Sequence, residues 1–190
     1  MKALLRRIAI AATLVALAAP ALAEIAVPSQ ADWVAARKTV TTTEGLTFSY
    51  VEIGAAEGQP VLLLHGYTDN SRSWSLLAPY LTGRRLIALD LRGHGGSDAP
   101  ACCYGPDTLA EDVNGVLTAL NIDKVDVIGH SLGSITGVTL AAFHPERVDQ
   151  LVLLSTAVSV PQAGSDWLWD NVPKLVAPID PNSEFMLAWY

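Results

Sequence analysis

The sequence predicts an α/β protein built on a mostly parallel sheet flanked by helices. Three observations carry that reading. Short runs such as Val61-Leu62-Leu63-Leu64 are apolar without alternation, as in strands buried on both faces. Segments with apolar residues at helical spacing fall between those runs, which is the order that βαβ units require. The composition is 51% hydrophobic and 16% charged over 190 residues, enough apolar material for one domain's core and too much for a disordered chain.

The first 23 residues read as a segment removed before folding. Lys2, Arg6 and Arg7 form a basic start, and an apolar run follows over residues 8–19. Pro20 breaks the run, and Ala21-Leu22-Ala23 supplies a small-x-small cleavage site ahead of Glu24. The competing reading is an uncleaved membrane anchor, but the run is shorter than the ~18 residues needed to span a bilayer. A compact segment of this kind is expected of a bacterial secretory signal. Its removal deletes three bases and no acids, taking the net charge from -7 to -10. The mature protein is expected in the periplasm or outside the cell, with no stable membrane anchor.

Along the remaining chain, residues 24–38 are expected as a loosely docked arm. Residues 39–43 and 46–52 carry β-branched and aromatic side chains around Glu44-Gly45, the pattern of a hairpin. A loop at 54–58 leads to the buried strand 61–64. Residues 71–81 read as a helix and 86–89 as a second buried strand. The turn-rich stretch 93–105 holds the two cysteines, Cys102 and Cys103. Thr108-x-x-Glu111 has capping-box spacing, and Leu109, Val113, Val116, Leu117 and Leu120 share one helical face. A strand at 125–128, a helix at 132–143 stopped by Pro145, and a last buried strand at 151–154 complete the alternation. Beyond Ser155 the pattern changes to Pro161, Pro173, Pro178 and Pro181 among Trp167, Trp169 and Trp189. Residues 24–160 are therefore assigned to an α/β core, and 161–190 to the opening of a lid.

Charge and residue types narrow the chemistry. The 19 acidic residues against 12 basic ones exclude a nucleic-acid surface, which needs a basic face. No histidine and cysteine set has zinc spacing, so no metal is expected, and no cofactor motif is present. The expected partner is a small molecule.

The strongest motif is Gly129-His130-Ser131-Leu132-Gly133, set between the strand at 125–128 and the helix from 132. That context is the one a nucleophile elbow requires. The turn leaves no room for bulk two residues either side of the serine, and glycine stands at both places. A second motif, His65-Gly66-Tyr67-Thr68, follows the strand at 61–64, and a third, Asp90-Leu91-Arg92-Gly93-His94-Gly95, follows the strand at 86–89.

In order and spacing these three motifs, over roughly residues 40–160, resemble the α/β-hydrolase family in its lid-bearing branch of esterases, haloperoxidase-like enzymes and carbon–carbon bond hydrolases. The resemblance implies Ser131 as nucleophile, with the backbone amides of Tyr67 and Leu132 forming the oxyanion hole. Losing one such donor costs ~3 kcal/mol of transition-state stabilisation. It also implies that the Asp90–His94 stretch is structural, its arginine and histidine bonded to neighbouring loops. Serine at position 131 disfavours haloalkane dehalogenase and epoxide hydrolase chemistry, which use aspartate there. Ester, thioester, lactone, amide and carbon–carbon cleavage all remain compatible. Trp74 is expected in the core, with the acyl pocket as the other placement; Trp167 and Trp169 either wall the substrate site or pack within the lid.

Triad partners in this family follow in the order serine, acid, histidine. None of the four histidines lies beyond His144, and Asp166, Asp170 and Asp180 fall in the lid-like stretch. The chain is expected to be the N-terminal part of a hydrolase cut within its lid, with acid and base beyond Tyr190. The alternative is a non-catalytic relative that keeps the elbow without the chemistry. Cys102 and Cys103 leave three outcomes open: a vicinal disulfide, two thiols, or bonds to cysteines beyond Tyr190.

Overall fold

The computed structural model describes residues 26–81 and 83–156, together with the isolated helical positions Asp166 and Asp170. The expected signal segment at 1–23, Trp167, Trp169, Trp189 and the lid boundary at 161 lie outside the described residues.

Among the described residues six strands form one sheet: β1 (Arg37–Thr41), β2 (Thr47–Gly54), β3 (Pro60–Leu64), β4 (Arg85–Leu89), β5 (Val125–His130) and β6 (Val148–Leu154). Their spatial order is β1-β2-β4-β3-β5-β6. β1 and β2 pair as the expected antiparallel hairpin and β2 meets β4 antiparallel, whereas β4, β3, β5 and β6 run parallel. Among the residues described up to 156, α1 (Gln30–Ala35), α2 (Pro106–Ala119) and α3 (Leu132–Phe143) accompany them.

The apolar runs are buried on both faces, as their lack of alternation requires. Leu62 and Leu64 of β3, with Ile87 and Leu89 of β4, face a core shared with Val113, Val116 and Leu117 of α2 and Leu140 of α3. Val61 and Leu63, with Leu86 and Ala88, face a second core closed by Trp33, Trp74 and Ala78. β6 departs from the expectation of a buried strand. Val152, Leu153 and Leu154 are exposed, because β6 ends the sheet among the described residues and presents the edge.

Three further differences have local causes. The stretch 71–81 forms two short 3-10 turns, Ser71–Leu76 and Ala78–Leu81, instead of one α-helix. Pro79 has no N–H to continue a helical ladder, and the Ser73 hydroxyl takes the Asn70 carbonyl at 2.6 Å. α2 begins at Pro106 with Gly105 as its cap, so Thr108 lies inside the first turn and caps nothing. Proline's fixed φ suits the first helical position, and it moves the start ahead of the Thr108–Glu111 spacing. The arm is firmly docked instead of loose. Ser29 and Asp32 close a reciprocal capping box on α1, and Trp33 is only 1% exposed. Burying a ring of that size contributes on the order of 3 kcal/mol, which outweighs the cost of ordering a single turn.

The strand order also fixes where a site can form. β3 leads outward to β4, while β5 returns to the other side of β3. Connections therefore leave the carboxyl ends of β3 and β5 toward opposite sides and open a crevice between them, the place where open α/β sheets bind ligands.

Candidate active site

The crevice brings together the motifs after β3 and β5, whose strands pair in register through Leu64 and Gly129. At the end of β5 the chain turns at Ser131, with φ 49° and ψ -111°. A non-glycine residue held in that region stores ~1–3 kcal/mol of strain, so its surroundings must impose it. They do so through close packing. A Cβ on Gly129 would strike the Gly133 carbonyl, and one on Gly133 would strike the carbonyls of Leu64 and His65. Glycine alone lets α3 start this near β3. The turn is then pinned to β6: the Ser131 amide donates to the Leu154 carbonyl at 2.9 Å, and the amide of Leu154 donates to the buried Ser134 hydroxyl at 3.2 Å. That hydroxyl in turn donates to the Gly129 carbonyl at 2.6 Å. Ser134 was not singled out from sequence; a serine one turn into the helix carries no signal until β6 is seen beside it.

Ser131 itself is half-buried, at the first turn of α3, where unpaired amides and the helix dipole favour negative charge. The Leu132 and Tyr67 amides donate to no acceptor among the described residues. The expected oxyanion donors are thus unspent, on the two loops that flank the crevice. Beside them lies a cleft of about 270 Å³ lined by Asp69, Ser73, Trp74, His130 and Leu154. Trp74 lies in the second core, as expected, at 5% exposure, and its remaining surface walls the cleft.

The exit of β3 is held by buried polar groups. His65 is fully buried; its Nε2 accepts the Leu91 amide at 3.0 Å, and its Nδ1 lies 2.7 Å from the Gly66 carbonyl. Burial holds the His65 imidazole below its ordinary pKa, and the neighbouring His94 pushes the same way. Asp90 accepts the amides of Ser71 at 2.7 Å and Gly96 at 3.0 Å. Burial alone would raise its pKa, but these amides and the hydroxyls of Ser71 and Ser49 outweigh that and keep it below the usual carboxylate range. Trp33 Nε1 donates to the Ser71 hydroxyl at 3.2 Å, tying the N-terminal arm to this frame. Arg92 makes a two-pronged pair with Asp112 of α2, both contacts at 2.6 Å. His94 Nδ1 bonds the Arg92 carbonyl at 2.8 Å, and its ring meets His65 and Tyr67 edge-on. These contacts tie the Asp90–His94 stretch to α2 through Arg92 and to the β3 exit through the His94 ring, where the resemblance implied bonds to neighbouring loops.

The same contacts occupy two of the four histidines. Both nitrogens of His65 are engaged by backbone. His144 lies at the far end of α3, ~20 Å along the axis at ~1.5 Å per residue, and bonds Glu111 at 2.9 Å. His130 packs over Gly66, where an added Cβ would come 2.9 Å from its Nδ1. Among the described residues no imidazole hydrogen-bonds Ser131.

Sequence comparison places these features in a family. A model of the alpha/beta hydrolase fold matches residues 59–179. The chain belongs to the α/β hydrolase fold family. Its relatives in this family include the 2-hydroxymuconate semialdehyde hydrolase of Pseudomonas sp. (strain CF600), 39% identical over 123 residues that cover 61% of this chain and 44% of that protein. Among solved structures, an esterase of Exiguobacterium antarcticum matches with a TM-score of 0.65 at 28% identity, over 72% of this chain and 55% of its own. The epoxide hydrolase CorEH matches with a TM-score of 0.63 at 29% identity, over 71% and 50%. The α/β hydrolase fold therefore hosts several bond types, and the residue at the elbow has to choose among them. The chain spans only part of its curated relatives, from 30% of a Mycobacterium bovis protein to 52% of a human serine hydrolase-like protein.

Proposed function

We propose that this chain carries the nucleophile half of an exported serine hydrolase that cleaves an ester, lactone or similar carbonyl substrate through an acyl-serine intermediate. The observation that carries the reading is Ser131 at a positive-φ elbow, flanked by two unspent amides. Ser131 Oγ would attack the carbonyl carbon, and the oxygen would take the negative charge facing the Tyr67 and Leu132 amides. The hydroxyl proton needs an imidazole, and the engagement of His65 and His144 supports a base contributed from beyond Tyr190, with the triad acid. Export to the periplasm or beyond rests on the basic, apolar and small-x-small order of residues 1–23. The substrate is a small molecule, and no step calls for a cofactor.

A second reading is favoured by one observation, the absence of an imidazole bonded to Ser131 among the described residues. It makes the protein a binding domain that keeps the elbow without turnover. A fluorophosphonate probe separates the two. The intact protein is expected to be labelled at Ser131, and Ser131→Ala is expected to abolish labelling and ester turnover. Labelling at another serine, or undiminished turnover in the alanine variant, would sink the acyl-serine reading.

A further inference from the structure

Building on the acyl-serine reading, we propose that His65 is a positioning residue: a neutral imidazole that bridges the Leu91 amide and the Gly66 carbonyl, and so sets the direction of the Tyr67 N–H. The assignment follows from hydrogen-bond polarity. His65 Nε2 lies 3.0 Å from the Leu91 amide, which can only donate, so Nε2 carries no proton. A neutral ring then carries its proton on Nδ1, which donates to the Gly66 carbonyl at 2.7 Å. That carbonyl and the Tyr67 amide belong to one planar trans peptide, so their C=O and N–H bonds point in opposite directions. Holding the oxygen aims the donor.

The ring has little freedom to do otherwise. It is fully buried and packs edge-on against His94, 5.0 Å between centroids. Its other anchor, Leu91, follows Asp90, which is fixed by the amides of Ser71 and Gly96. The end of β4 thereby steadies the end of β3. On the far side of Tyr67 the chain is exposed and turns at Thr68 with φ 63°, tied by the Thr68 hydroxyl to the Tyr67 carbonyl. A mobile N–H would have to be oriented during the reaction, whereas a held one is already aimed where the negative charge develops.

Two substitutions separate the bridge's halves. In His65→Asn the amide nitrogen stands where Nδ1 stands and still donates to Gly66. In His65→Gln the longer amide reaches the place of Nε2 and accepts from Leu91, leaving the Gly66 carbonyl unheld. With p-nitrophenyl acetate and the intact protein, His65→Gln is expected to lower kcat about 100-fold, the loss typical of one oxyanion donor, with little change in KM. His65→Asn is expected to keep kcat within about tenfold of the parent. Nitrogen-15 NMR of the parent at pH 7 should show His65 neutral and protonated on Nδ1. Equal losses in the two variants, parental kcat in the glutamine variant, or a His65 that is cationic or protonated on Nε2 would each overturn the proposal. If the glutamine variant does not fold by near-ultraviolet circular dichroism, the NMR tautomer and the asparagine variant's kcat still decide it. Ser131→Ala run in parallel keeps the two readings apart, since Ser131-independent turnover removes the acyl-serine reading whatever the tautomer of His65.

Discussion

Two turns build this site, and they are held by different means. The elbow between β5 and α3 is closed by steric exclusion: Gly129 and Gly133 have backbone carbonyls where a Cβ would stand. The exit of β3 is held instead by polar side chains buried behind it, His65 on Leu91 and Gly66, Asp90 on Ser71 and Gly96, Trp33 on Ser71. A turn enforced by contact admits one residue type, whereas a turn enforced by hydrogen bonds admits any group with a donor or acceptor in the right place. The first therefore leaves a pattern in the sequence, and the second leaves only polar residues of undeclared purpose.

The sharpest way to break the comparison is at the elbow. In Gly133→Ala the new methyl group meets the carbonyls of Leu64 and His65, neither of which can retreat without moving β3. A cost above ~3 kcal/mol is expected by chemical denaturation, near the upper end of overpacking effects. Gly45→Ala is the matched control, with φ 84° but open space around it. It should cost only the left-handed backbone penalty, about 1–2 kcal/mol. Similar costs at the two glycines would mean that steric closure is not what holds the elbow.

That difference explains what was legible beforehand. The parallel strands could be read because runs such as Val61–Leu64 and Leu86–Leu89 face a core on either side, and continuous apolarity reports that fact. Ser131 could be read because glycines two residues to each side report the close approach of α3. The docking of Trp33 was missed, since one aromatic in a polar stretch has no period to declare a partner 38 positions away. β6 was read as buried because the composition of Leu151–Leu154 matches that of β3. His65 was recognised as part of a motif and not as a bridge, because its partners are backbone atoms of another loop. Cys102 and Cys103 left three outcomes open, with the vicinal disulfide foremost, and the fold joins them as that disulfide.

At the β3 exit a smaller, more local effect is expected. Asp90→Asn keeps the shape of the side chain but has one acceptor oxygen for two amides, those of Ser71 and Gly96. The lost charge-assisted bond should cost ~2 kcal/mol. Amide hydrogen exchange gives the finer reading. Ser71 and Gly96 should exchange faster, while Ser131, held on the Leu154 carbonyl, keeps its protection. Loosening of Ser131 to the same degree would join the two turns into one cooperative unit.

The smallest expected effect comes from acid, which can reach one turn and not the other. The contacts that close the elbow are made by glycines, backbone groups and the Ser134 hydroxyl, with His130 beside them and bonded to none of them, whereas the β3 exit is held through the ring of His65. Its folded pKa is lowered from 6.5, first by burial and then by His94, against the opposing pull of the Gly66 carbonyl, Asp90 and Asp69. Below pH ~6.5 the unfolded chain therefore binds a proton that the folded chain refuses, and stability falls with pH until His65 itself protonates. Asp90 acts with the same sign in a separate window, since its lowered pKa removes stability only as pH falls below 3.8. Denaturation of the parent between pH 7 and 5 should show the first loss, and His65→Asn, which has no group titrating there, should show less of it. Hydrogen exchange at pH 5 should then speed at Leu91, whose amide needs an unprotonated Nε2, before it speeds at Ser131. An equal slope in the two proteins would assign the acid sensitivity to another histidine and leave the β3 exit as insensitive to acid as the elbow.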